Sequence, residues 1–83
     1  MLNIKQNEFA QTIGKVVAGG LVDSLRDNPK YKDLNFAWNM LYDMVVSFIK
    51  LRITVSEFGD DAKEMQEVAI NSCKFEFEKF FKN

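Results

Sequence analysis

The sequence predicts an all-α fold, a three-helix up-down-up bundle, on three observations. Apolar residues recur at spacings of three and four along almost the whole chain. Strong helix-stopping signals occur at Asp27-Asn28-Pro29 and at Gly59. The stretches between them are each long enough for a full helix of a globular protein. Residues 1–83 are then a single helical domain, near the lower size limit for a self-sufficient core. A hydrophobic content of 47% against 28% charged excludes a disordered chain.

The first helix, about Asn3 to Asp27, carries Phe9, Ile13, Val16, Val17, Leu21 and Leu25 at helical spacing. Ala10, Gly14 and Ala18, each four apart, form a smooth strip on which another backbone can approach closely. The adjacent Gly19 and Gly20 each cost about 1 kcal/mol in a helix interior. They leave two forms open, a continuous helix or one broken at Gly19-Gly20. Neither glycine site reads as a phosphate loop, because no strand precedes it and the spacing and following Ser/Thr are absent.

Lys30 to Asp33 is a short polar link after the Pro29 stop, and Asp33 or Asn35 is placed to cap the second helix. The bundle is organised around this central helix, 34–58. Its first apolar line is Ala37, Leu41, Met44, Phe48, Leu51, Val55 and Phe58, and its second is Trp38, Tyr42, Val45, Ile49 and Ile53. So wide an apolar arc needs cover on two sides. The β-branched run Ile53-Thr54-Val55 is the one place where this stretch could turn from helix toward strand. Gly59 suits a left-handed helix end, and Asp61-x-x-Glu64 resembles a capping box opening the third helix, about Ala62 to Lys82.

The third helix presents Met65, Val68, Ala69, Ser72 and Cys73 to the core, and ends in Phe75, Phe77, Phe80 and Phe81. At 100° per residue, Phe75 and Phe77 stand about 160° apart, so one core face cannot take both. This aromatic surplus, with Ala10, Gly14 and Ala18, is the expected interface. Arg52, Glu76 and Glu8 are charges on otherwise apolar faces or level with them. Arg52 and Glu76 lie about 13 Å apart along the hairpin. Arg52 could pair with Glu8, and Glu76 with Lys15 or a charge on a second subunit, but the favoured reading for both is snorkelling to solvent at the edge of the bundle. Glu57, Asp60, Asp61, Glu64, Glu67 and Glu8 gather at one pole, where such residues cap helices and keep the tip soluble.

Several function classes lose support from composition. The chain has no histidine and one cysteine, Cys73, which removes the usual general base, a disulfide and a one-chain zinc site. No catalytic residue, metal site or cofactor is expected. A formal net charge of -1, with only Arg26 and Arg52 as arginines, argues against general nucleic-acid binding. No apolar run approaches a membrane span, and Lys5 and Glu8 interrupt any signal-peptide core, so a cytoplasmic protein is expected. The leading expectation is a non-enzymatic interaction protein, an adaptor or inhibitor, that binds a protein partner and forms a homodimer or higher oligomer. A phage or mobile-element origin follows only by analogy of size and composition. The alternatives are a helical DNA-binding regulator and an oligomer that sequesters a small ligand such as a nucleotide.

Overall fold

The computed structural model of the chain describes residues 1–26 and 33–82. The Asp27-Asn28-Pro29 stop and the link through Lys32 lie outside the described residues. The fold is all-α. Helices α1 (Ile4–Leu25), α2 (Leu34–Arg52) and α4 (Ala62–Lys82) are long; α3 (Val55–Phe58) is a single turn, followed by a 3-10 turn at Gly59–Asp61. The helices form a rod of 40 × 20 × 17 Å.

Helix α1 begins at a capping box. The Asn3 side chain accepts from the Gln6 backbone N–H at 2.8 Å, and the Gln6 side chain accepts from the Asn3 N–H at 2.9 Å. It then runs unbroken through Gly19 and Gly20, which selects the continuous form of the two the sequence allowed. Helix α2 is capped by Asp33, whose carboxylate accepts from the Phe36 N–H at 2.9 Å.

The predicted central helix 34–58 is corrected in two respects. It ends at Arg52, because Ile53 and Thr54 both adopt extended backbone. The β-branched pair gives up little by leaving the helix, and local bonds replace the lost ladder. The Thr54 hydroxyl accepts from the Glu57 N–H at 3.3 Å, starting α3, and the Gln66 amide donates to the freed Ile53 carbonyl at 2.8 Å. Ile53 turns fully inward as a result. Gly59, just past α3, has φ of +58°, the one positive φ among the described residues.

The second correction concerns which helix is central: α4 lies against both α1 and α2, which touch each other only lightly. Contacts run in the same order along α1 and α4, with Gln6 bonded to Asp61 just before α4 and the Gln11 carbonyl to the Ser72 hydroxyl. They run in opposite order along α2 and α4, where Ile53 meets Gln66 and Trp38 meets Phe77. The core along α4 is Ala62, Met65, Ala69, Cys73 and Phe77, all fully buried. Facing it are Ala10, Ile13, Gly14, Ala18, Leu21 and Leu25 of α1, and Ala37, Trp38, Val45 and Ile49 of α2.

Candidate functional site

The small strip of α1 sits inside the chain. Ala10, Gly14 and Ala18 are buried. A Cβ on Gly14 would stand 2.3 Å from the Ala69 carbonyl oxygen, 2.8 Å from the Ser72 Cβ and 3.0 Å from the Cys73 nitrogen. Close approach of two backbones explains this strip, but the approaching backbone is α4 of the same molecule. The expectation that these three residues face another subunit is therefore corrected.

The C-terminal aromatics divide. Phe77 is fully buried, edge-on to Trp38 with ring centroids 5.5 Å apart, so its place is the core and not an interface. Phe75, on the other side of α4, is 58% exposed, with the Lys79 ammonium 4.7 Å from its ring centroid. This is the angular separation that helical geometry imposes on the pair. Phe80 is half-buried, and the Phe81 side chain lies outside the described residues.

The charged candidates also resolve. Glu76 is half-buried and pairs with Lys79 one turn along its own helix at 3.4 Å, not with Lys15. Arg52 and Glu8 are both exposed, and among the described residues no ion pair joins them. At the acidic pole, Asp61 accepts from the Gln6 amide at 2.9 Å, and Glu64 lies 3.6 Å from the N-terminal amine. Both side chains contact the N-terminal segment, where a capping box opening the third helix was expected. Burial pushes the Cys73 thiol up to about 12, so it stays protonated and unreactive near neutral pH.

The feature that sequence reasoning misplaced is the outer face of α2. Of its two apolar lines, the second is inside at Trp38, Val45, Ile49 and Ile53, with Tyr42 the exception. The first line is largely outside: Met44, Phe48, Leu51 and Val55 are exposed, joined by Met40 and Phe36. Because α1 and α2 touch each other only lightly, an open groove of about 810 Å³ lies between them. Phe9, Ile13, Val16, Val17 and Leu21 line it from α1, and Met44, Phe48, Leu51 and Arg52 from α2. Thr12, Val16, Gly20 and Ser24, each four residues apart, give the α1 side a low profile. Phe9 packs against Phe58 with ring centroids 5.6 Å apart and planes tilted by 36°, near one end of the groove. Among the described residues, Arg52 is the single charged group in its lining.

A smaller, polar hollow of about 510 Å³ lies between α1 and α4 and includes Lys15, Asn71, Phe75, Glu76 and Lys79. Among the described residues no cluster of acidic, cysteine or histidine side chains is arranged to hold a metal ion. No helix among them is long and apolar enough to cross a membrane. The chain matches no family model, no curated protein and no solved structure.

Proposed function

We propose that this chain is a non-enzymatic interaction protein whose apolar α1–α2 face is covered by another polypeptide. The observation that carries the reading is the exposed line of Met40, Met44, Phe48 and Leu51 beside a groove walled by Val16 and Val17. A monomer of this size does not usually leave so continuous an apolar surface to water. Met and Phe also suit such a role, since flexible thioethers and flat rings adapt to the contours of a partner. Acid–base and nucleophilic chemistry find no support in a chain without histidine whose one thiol is buried and held protonated. A buried lone thiol suits the reducing cytoplasm.

The test is affinity capture from the native cell with the wild-type chain and the Leu51→Glu variant as baits, read by mass spectrometry. A protein retained by the wild type and lost by the variant is the expected result. Identical sets on both baits would refute the proposal. A second reading, sequestration of a small anionic ligand, draws on Lys15, Lys79 and Phe75 around the polar hollow. A thermal-shift panel of nucleotides tests it, and absence of any stabilisation removes it.

A further inference from the structure

Resting on that reading, we infer that the polypeptide covering the groove is a second copy of this chain, docked about a twofold axis perpendicular to α2. Each copy lays its Met40–Leu51 ridge into the groove of the other. A twofold interface must be complementary to itself, which requires a ridge and a matching groove on one face. Both are present here, side by side, and their lengths agree. The ridge from Met40 to Leu51 spans about 17 Å of helix, and the low strip from Thr12 to Ser24 spans about 18 Å.

The area is also what a stable dimer needs. Val16, Met40, Met44, Phe48 and Leu51 are between 45% and 74% exposed. On a scale of about 150–250 Å² for an aromatic side chain, and somewhat less for Val, Met and Leu, they leave on the order of 500 Å² of surface. A standard interface buries about 800 Å² per partner, of which some 65% is apolar in homodimers, or about 520 Å².

Glycine supplies an independent observation. Gly14 is explained by α4, but a Cβ on Gly20 would meet nothing within 4 Å in its own chain. Gly20 lines the groove, so its missing side chain deepens the place where the ridge of the second copy would lie. Charge raises no obstacle. A twofold axis perpendicular to α2 runs the two ridges antiparallel, which puts the two Arg52 side chains at opposite ends of the interface, where each reaches solvent.

Light scattering on the full chain at tens of micromolar, with three variants, tests this. The wild type should have a mass near twice 9.6 kDa. Leu51→Glu, which puts a charge on the ridge, and Gly20→Leu, which fills the groove, should each weaken the dimer by roughly tenfold or more while keeping the wild-type helical circular dichroism. Gly19→Leu, next to Gly20 but outside the groove lining, should leave the dimer intact. A wild type that stays at 9.6 kDa overturns the second copy as occupant. A dimer indifferent to Leu51→Glu or to Gly20→Leu overturns the ridge-in-groove geometry. Affinity capture from the native cell can still succeed in either case, so the two readings fail separately.

Discussion

Replacing Gly14 with alanine puts one methyl group between α1 and α4, where there is no room for it. The new Cβ would stand 2.3 Å from the Ala69 carbonyl oxygen and 3.0 Å from the Cys73 nitrogen. Both are backbone atoms in the middle of a helix and cannot swing aside, so the two helices must separate locally. Alanine gains about 1 kcal/mol over glycine in a helix interior. Against that, inserting a methyl group into a packed core costs about 1–3 kcal/mol, and a contact with backbone belongs at the upper end. Separation also stretches the 3.1 Å bond from the Ser72 hydroxyl to the Gln11 carbonyl. The net expectation is a loss of about 1–3 kcal/mol, which for a domain of this size lowers Tm by roughly 4–8 °C per kcal/mol. Gly19→Ala is the internal control. It has the same helical backbone and nothing within 4 Å of its Cβ, so it should stabilise by up to about 1 kcal/mol. Thermal and urea unfolding followed by circular dichroism reads both variants. If Gly14→Ala is as stable as Gly19→Ala, close packing of α1 on α4 is wrong.

Three further outcomes rest on the same packing. Phe77→Ala should lose about 3–5 kcal/mol in denaturant unfolding, whereas Phe75→Ala should lose less than about 1 kcal/mol, because only Phe77 is enclosed. Gly59→Ala, at φ of +58° and ψ of -133°, should destabilise by about 1–3 kcal/mol without changing the helical signal of the folded chain. The Cys73 thiol has its pKa raised by burial from 9.0 to about 12. Its contribution is therefore complete below pH 9 and declines as pH rises toward 12, where the unfolded thiol ionises and the folded one does not. Stability of the wild type should fall with pH across that window more steeply than that of Cys73→Ala.

The all-α fold was legible because helical periodicity and stop signals are local properties of the chain. The angular separation of Phe75 and Phe77 was legible for the same reason, and their unequal burial agrees with it. Which helix would be central was not. Helix α2 is the most apolar stretch, but α4 carries Ala62, Ala69 and Cys73 on its buried face, and those small residues let neighbours approach it on two sides. Gly14 answers Ala69 across the α1 contact, a pairing that depends on the register between two helices far apart in the chain. The β-branched run at Ile53-Thr54-Val55 pointed toward strand, whereas the chain only leaves the helix for two extended residues, with the Gln66 side chain donating to the freed Ile53 carbonyl. The exposed face of α2 was hidden by the same reasoning that found it apolar. An apolar arc shows what must be covered, and the sequence does not say that α1 and α4 cover only half of it.

Methyl NMR of the chain labelled at its four methionines, recorded over a dilution series, tests the central claim most directly. Met40 and Met44 lie on the uncovered ridge of α2, Met65 is fully buried in the core, and Met1 is exposed at the first residue. The Met40 and Met44 methyl signals should shift together with concentration while Met65 and Met1 stay fixed. If the two ridge methyls stay fixed from dilute to concentrated solution, self-association through this face is contradicted.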